Sequence, residues 1–142
     1  MNADFRKLAA QLDKELLSRY EQEQANYDKY NKIENNNTVV VAYYHEHPIG
    51  CGCIKQFNDD AMEVKRMFVV PEYRGQGIAH TILRELEAWA REQSYTLVIL
   101  ETGIRQPEAI QLYKKSGYRV IDNYGQYIGM KSSVCMSKEL KK

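Results

Sequence analysis

The segment from Met67 to Ala79 places an arginine and two glycines between an apolar run and the start of a predicted helix. Gly75 and Gly77 allow a tight turn, and the main-chain N–H groups that open a helix are unpaired and lie at the positive end of its dipole. Such a turn can bind a phosphate or pyrophosphate through the N–H groups of residues 75–80. Arg74 adds a permanent positive charge whose planar fork matches two phosphate oxygens. The segment therefore predicts an anion site.

Two common phosphate-binding motifs do not fit this segment. The Walker loop requires a lysine directly after its second glycine, and here Ile78 follows Gly77. The dinucleotide fingerprint requires Gly or Ala where this chain has His80. Glu101, however, ends the next predicted strand, about where the dinucleotide fold keeps its ribose-binding acid. Nucleotide binding therefore stays an alternative at this point.

A different family fits two separate stretches of the chain. Read as Arg74-x-x-Gly77-x-Ala79 after Phe68-Val-Val-Pro71, the first resembles the coenzyme A signature of the GNAT superfamily of acyl-CoA-dependent N-acyltransferases. The second, from Gln106 to Tyr118, is similar to that family's second signature, in which a polar residue precedes a helix that carries a tyrosine and ends at Gly-aromatic. The resemblance covers residues 38–140.

The resemblance implies an α/β GNAT acyltransferase fold, with a mixed, mostly antiparallel central sheet flanked by helices, in a single domain over residues 1–142. The family usually begins with a short strand, and only Met1–Ala3 precede the first predicted helix here. The first strand is therefore expected to be missing or reduced. Its loss would leave a sheet edge at which a homodimer contact could form.

The resemblance also implies acetyl-CoA as the cosubstrate, without a metal. Coenzyme A is expected to bind through the N–H groups of residues 75–80, with His80 contributing only its backbone. The strand before the turn would hold the pantetheine arm and supply an N–H to the oxyanion. Gln106 would hydrogen-bond the coenzyme or a water. The residues predicted to bind the coenzyme are Phe68, Val69, Val70, Arg74, Gly75, Gln76, Gly77, Ile78, Ala79, His80 and Gln106.

Acyl transfer to an amine requires removal of a proton from an ammonium and delivery of one to the departing thiolate. Tyr113 occupies the family's tyrosine position and is the predicted general acid; the alternative is a core aromatic on the last helix. Glu63 matches a base position of some lysine-acetylating members and is the predicted base, acting directly or through water. Its alternative is an exposed strand carboxylate near Lys65, and Glu101 or a water chain is the rival base.

The resemblance implies an N-acetyltransferase acting by direct attack on a primary amine. The chain has no extension for docking a peptide, so a small-molecule acceptor such as an amino acid, short peptide or polyamine is preferred. A protein lysine or N-terminus, or a non-catalytic acyl-CoA sensor, is the alternative. The loop Asn123–Tyr127 either lines the acceptor pocket or packs its tyrosines on the sheet.

Composition excludes several classes of partner and site. The 20 Lys and Arg nearly balance the 19 Asp and Glu, so no global field favours nucleic acid or an anionic membrane. The chain has neither a long apolar run nor a basic-then-apolar leader, which predicts a cytoplasmic protein. Cys51, Cys53 and Cys135 lack a metal-knuckle spacing and are expected to be reduced strand residues.

Hydrophobic periodicity and turn residues predict the elements that would position these groups. Leucines and Phe5 at helical spacing indicate an amphipathic first helix capped by Asp4, and Tyr27 and Tyr30 indicate a short second one. His45–Pro48 is the predicted hairpin turn. The predicted helices are 4–20, 21–32, 78–93 and 107–116, and the predicted strands are 38–44, 49–57, 62–70, 95–101, 118–122 and 133–137.

Overall fold

A computed structural model describes residues 2–20 and 38–141. The helices in these ranges are α1 (Ala3–Tyr20), α2 (Ile78–Glu92) and α3 (Pro107–Lys115). The strands are β1 (Thr38–Tyr44), β2 (His47–Gln56), β3 (Ala61–Val69), β4 (Leu97–Gly103), β5 (Arg119–Ile121) and β6 (Ser133–Glu139). Short 3₁₀ turns cover Pro71–Tyr73 and Gly125–Tyr127.

The six strands form one sheet in the order β1-β2-β3-β4-β6-β5. All neighbouring pairs are antiparallel except β3 and β4, which run parallel and are connected through α2. The predicted fold class, a mixed and mostly antiparallel sheet flanked by helices, is confirmed. In the described part of the chain no strand precedes α1, as expected.

α2 packs against one face of the sheet because its apolar residues recur at helical spacing. Ile82, Leu83 and Leu86 are at most 2% exposed and join a core cluster with residues of β3 and β4, including Val64 and Leu100. Burying a side chain of this size stabilises the fold by roughly 1.5–3 kcal/mol. This core fixes the start of α2 relative to the central strands.

α1 covers part of the opposite face. Phe5 and Leu8 are fully buried against Cys51, Cys53 and Phe68. All three cysteines of the chain are buried and free, as predicted. One helix therefore lies beside the carboxyl end of β3, on the face away from α2.

The start of α1 differs from the prediction. Asn2, rather than Asp4, accepts a hydrogen bond from the Phe5 N–H through Oδ1 at 2.9 Å. Asp4 instead accepts one from the Tyr43 hydroxyl at 2.7 Å, a contact between residues 39 positions apart. A tertiary contact of this kind leaves no local pattern in the sequence.

The hairpin between β1 and β2 is also tighter than predicted. The turn consists of His45 and Glu46 alone, with His45 at φ 55°, while His47 and Pro48 belong to β2. Pro48 is accommodated because the register shifts between Ala42 and Tyr43 on the facing strand. The predicted helix over 21–32 lies outside the described residues. Among the described helices, none is long and apolar enough to cross a membrane.

Candidate active site

The two parallel strands at the centre of the sheet separate at their carboxyl ends. β3 and β4 pair from Ala61 with Leu97 to Val64 with Leu100. Beyond that point β3 continues along β2, while β4 continues along β6. The separation opens a gap at the centre of the sheet, which leads towards the start of α2.

A β-bulge in β3 begins where the strands separate. Cys53 faces Lys65 and Cys51 faces Phe68, so Gly52 alone on β2 opposes two residues of β3. Arg66 in the bulge has φ 59°, an uncommon conformation for a residue with a side chain. Its guanidinium forms an ion pair with Asp13 of α1, which holds the bulge on that side.

A cavity of about 460 Å³ adjoins the gap and is bounded by β3, α2, α3 and α1. It brings together most of the residues predicted to bind the coenzyme, although Val70 and Gln76 are not among the described residues that line it. Both main-chain groups of Val70 are engaged, with its N–H donated to Ile49 at 2.8 Å and its carbonyl accepting from Tyr73 at 2.9 Å. The predicted residues that line it are Phe68, Val69, Arg74, Gly75, Gly77, Ile78, Ala79, His80, Gln106 and Tyr113.

The turn before α2 has the backbone geometry that an anion cradle requires. Gly75 and Gly77 lie at φ 80° and φ 82°, in the left-handed region that favours glycine. A Cβ at either position would meet nothing within 4 Å, so the turn is open above both. The first helical hydrogen bond runs from the Thr81 N–H to Gly77, and residues 78–80 precede it. Their N–H groups can therefore bind an anion.

Arg74 lies at the cavity with part of its fork already engaged. Its Nε donates to the Val69 carbonyl at 2.7 Å, and its Nη2 lies 2.9 Å from a Glu15 oxygen of α1. The guanidinium carbon is 5.3 Å from the centre of the Phe68 ring. These contacts hold the charge beside the cradle, and the Glu15 carboxylate offsets part of it.

Gln106 and His80 join the helices that form the cavity wall. Gln106 Oε1 accepts hydrogen bonds from the Thr102 hydroxyl at 2.8 Å and the Gly103 N–H at 3.2 Å, which fixes the start of α3. The Ser116 hydroxyl donates to the Leu112 carbonyl, so His80 Nδ1, 3.1 Å from Ser116 Oγ, is the donor in their contact. His80 thus contributes its side chain as well as its backbone, by linking α2 to α3.

Tyr113 projects from α3 into the core on the α2 side and also lines the cavity. It is 7% exposed, and its ring packs edge-on against Tyr118 at 5.9 Å. Burial, and secondarily the charge of Glu101, raises the pKa of the Tyr113 phenol well above its usual value of 10.0. The phenol therefore keeps its proton at neutral pH and can act as a donor.

Glu63 lies on the opposite face of the sheet from Tyr113. Its neighbours Met62 and Val64 point into the α2-side core, so strand alternation directs Glu63 to the other face. Glu63 is only 3% exposed, and the Tyr124 hydroxyl donates to its Oε2 at 2.7 Å. Glu63 is thus not an exposed strand carboxylate. Tyr124, which sequence reasoning placed only in a candidate loop, is the addition to the site.

Other ionisable groups share the Glu63 face. Lys65, two residues along β3, is 8% exposed, and burial lowers its pKa, an effect that the Glu63 charge opposes. Glu101, the rival base, is only partly buried and raises the pKa of Tyr127 together with Glu63, although burial is the larger cause. Two carboxylates and one buried cation therefore lie at the sheet centre, where an amine would approach.

Among the described residues there is no group of three or more His, Cys, Asp or Glu side chains arranged to hold a metal ion. The chemistry that this site offers is proton transfer and anion binding by the protein's own groups. A cavity with an anion cradle at one end and a buried carboxylate and phenol at the other suits an acyl group carried on a phosphate-bearing thiol.

A family model described as the acetyltransferase (GNAT) family matches residues 5–118. The chain belongs to this family. A GNAT protein of Klebsiella pneumoniae, assigned as an acyl-CoA N-acyltransferase, has 30% sequence identity and a TM-score of 0.81, with 99% of this chain and 92% of that chain covered. The match extends beyond the two signatures to the whole sheet.

Two further GNAT relatives bear on the site. IAA acetyltransferase of Azospirillum brasilense is 38% identical over 93 residues, which are 65% of this chain and 61% of that protein. A GNAT acetyltransferase of Elizabethkingia anophelis, whose structure has acetyl-CoA bound, shares the fold with a TM-score of 0.65 and 20% identity, over 88% of each chain. The aligned segments are only 26–40% of the length of the mammalian N-acetyltransferase 8 relatives.

Proposed function

We propose that this GNAT protein binds acetyl-CoA in the cavity and transfers its acetyl group to a primary amine. The observation that carries the proposal is the gap between β3 and β4, with the buried phenol of Tyr113 on one face and the buried carboxylate of Glu63 on the other. A thioester in this gap would have a proton donor on its thiol side and a base on its amine side. Family membership and the acetyl-CoA in the Elizabethkingia structure support the choice of donor.

The coenzyme's pyrophosphate would bind the N–H groups at the start of α2, beside Arg74. The pantetheine arm would lie along β3 in the gap. Val70 N–H pairs with β2, so by strand alternation the Val69 N–H points away from β2 and into the gap. Val69 is therefore the backbone donor best oriented for the arm or for the developing oxyanion.

Transfer would proceed by direct attack. Glu63, directly or through a water, removes a proton from the ammonium, and the neutral amine attacks the thioester carbonyl carbon. The C–S bond breaks as the amide forms, and Tyr113 protonates the departing thiolate. The products are the acetylated amine and coenzyme A thiol. Glu101 is the alternative base, since it lies on the same face, but it is less buried than Glu63.

We propose a small-molecule acceptor such as an amino acid, short peptide or polyamine, with a protein lysine or N-terminus as the alternative. The ionisable groups on the Glu63 face support an amine-bearing acceptor, because carboxylates attract its ammonium form. The second candidate function, a non-catalytic acyl-CoA sensor, would use the same cradle but would not need the buried Glu63.

The test is a thiol-release assay in which the protein, acetyl-CoA and a panel of primary amines are mixed and the acetylated product is identified by mass. We expect release above the amine-free blank for at least one small amine. Release with peptides or proteins alone would favour the alternative acceptor. Tight binding of acetyl-CoA with no amine-dependent release from any acceptor would support the sensor.

A further inference from the structure

The loop between β5 and β6 brings a tyrosine from 61 residues away onto the predicted base. Tyr124 donates its hydroxyl hydrogen to Glu63 Oε2 at 2.7 Å. This distance is at the short end for a hydroxyl donor and is typical of a hydrogen bond to a charged carboxylate. Neither the two family signatures nor the spacing of charged residues indicates this contact.

The surrounding structure fixes the Tyr124 ring. It packs edge-on against Phe57 at 5.1 Å and against Tyr127 at 5.5 Å. The loop itself is held by Asn123, whose Nδ2 donates to the carbonyls of Tyr127 at 3.1 Å and Met130 at 3.0 Å. The hydroxyl is thus oriented by packing that does not depend on Glu63.

Tyr124 can act only as a donor at this site. Burial, followed by the charge of Glu63, raises the pKa of the Tyr124 phenol far above its ordinary value. A carboxylate removed from water would otherwise be costly in its charged form, and a hydrogen bond donated to that form favours it. The tyrosine therefore opposes protonation of Glu63 and restrains its side-chain torsions.

We propose that Tyr124 is a positioning residue that holds Glu63 through Oε2 in its ionised form and directs Oε1 towards the acceptor amine. The inference rests on the proposed function, because it assumes that Glu63 is the base. Tyr124 itself transfers no proton in this scheme. It sets the geometry of Glu63 and the pH range over which Glu63 can accept a proton.

Other ionisable groups among the described residues also face Glu63 and contribute to its pH dependence. They come from each strand packed beside it and from the same loop. They are Lys55 of β2, Lys65 of β3, Glu101 of β4, Cys135 of β6 and Tyr127. All of them are unchanged when only the Tyr124 hydroxyl is removed, so Tyr124→Phe isolates the contribution of one hydrogen bond.

The test is the pH–rate profile of Tyr124→Phe with acetyl-CoA and an accepted amine. Phe keeps the ring contacts, so the KM for acetyl-CoA should be unchanged. We expect turnover at neutral pH to fall on the order of tenfold and the acidic limb to move up by about one pH unit, since a hydrogen bond to a charged group is lost. At high pH the two enzymes should converge. A parallel loss at every pH, or a gain in activity, would overturn the inference.

Two controls separate the inference from a loss of stability and from a wrong base. Tyr118→Phe removes a similar bond, from the Tyr118 hydroxyl to Glu87 at 2.8 Å, on the other face of the sheet, and should leave the acidic limb in place. Tyr124→Phe added to Glu63→Gln should cause no further loss. A further loss in that background would show that Tyr124 acts by another route and would overturn the inference.

A readout without turnover keeps the inference testable if no amine is accepted. In the protein without coenzyme, the Glu63 carboxyl carbon can be followed by NMR against pH. We expect its titration to move to higher pH in Tyr124→Phe and to stay unchanged in Tyr118→Phe. An unchanged titration in Tyr124→Phe would overturn the inference, whereas absence of acetyl transfer by the wild type would overturn only the proposed function.

Discussion

At the residue scale, the account depends on a phenol and a carboxylate on opposite faces of the sheet. Tyr113 is 7% exposed and Glu63 is 3% exposed, so neither is a solvated surface group. Burial has opposite consequences for the two: it keeps the phenol protonated, whereas it penalises the charged carboxylate and makes its hydrogen-bond donor important.

Tyr113→Phe tests the acid role. The ring still packs against Tyr118, so the fold and the affinity for acetyl-CoA should be preserved. We expect turnover to fall on the order of a hundredfold, as for the loss of a positioned proton donor. Steady-state kinetics and calorimetry with acetyl-CoA measure the two quantities separately. Unchanged turnover would mean that Tyr113 is a core aromatic and that another donor protonates the thiolate.

Glu63→Gln tests the base role through its pH dependence. Gln keeps the shape and loses the basicity, so the loss in rate should be greatest at neutral pH and should diminish as the amine deprotonates in solution, towards about pH 10. The measurement is the ratio of wild-type to variant rates across that range. An equal loss at all pH values would indicate a structural role and would direct attention to Glu101 or a water chain.

Tyr113 and Glu63 could be predicted from the sequence because each occupies a position in a recurring pattern. Tyr124 could be predicted only as part of a glycine-bearing loop. Its contact with Glu63 joins residues 61 positions apart and depends on the packing of Phe57 and Tyr127 around it. Local residue types carry no information about such a contact.

At the element scale, the turn before α2 provides the anion site, and its two left-handed glycines leave the space above it open. The sequence predicted this turn and the order of the described elements, because apolar periodicity and glycine positions are local signals. It did not predict the bulge at Arg66 or the ion pair from Arg66 to Asp13, which joins positions 53 residues apart. These features depend on where α1 packs.

Gly77→Asp tests the cradle. A carboxylate at this position would lie beside the N–H groups of α2 and would compete with the pyrophosphate, so acetyl-CoA binding should be lost. Calorimetry on the folded variant measures this. Wild-type affinity in the variant would exclude the cradle as the pyrophosphate site.

Gly129→Asp is the matched control for Gly77→Asp. Gly129 has φ 83° and open space around its Cβ position, nearly the same as Gly77, but it lies outside the cavity lining. Both variants should lose about the same stability, of order 1–2 kcal/mol, from the left-handed backbone. Only Gly77→Asp should lose the coenzyme.

At the scale of the whole molecule, buried thiols and phenols make folding sensitive to alkaline pH. Burial raises the pKa of the Cys51 thiol from 9.0 to about 12, and burial also raises the pKa values of Tyr118 and Tyr127. A group whose pKa is higher in the folded state stabilises fully below its unfolded pKa and loses that contribution as pH rises towards the folded value. Lys65, with its lowered pKa, acts in the opposite direction and offsets part of the effect.

We therefore expect the free energy of unfolding to fall between about pH 9 and about pH 11, by roughly 1 kcal/mol or more per pH unit. Urea unfolding at several pH values measures it. Cys51→Ala should be less stable at neutral pH but should show a shallower decline. A free energy of unfolding that stayed constant or rose over this range would contradict the burial of these groups.

The account's central claim is that the thioester lies in the gap between β3 and β4, with Tyr113 and Glu63 on its two sides. A crystal structure of the protein with coenzyme A tests this most directly. We predict the pyrophosphate on the N–H groups at the start of α2, and the sulfur within about 3.5 Å of the Tyr113 hydroxyl and on the side of the gap facing away from Glu63. A coenzyme bound elsewhere, or with its sulfur outside the gap and out of reach of Tyr113, would contradict the claim.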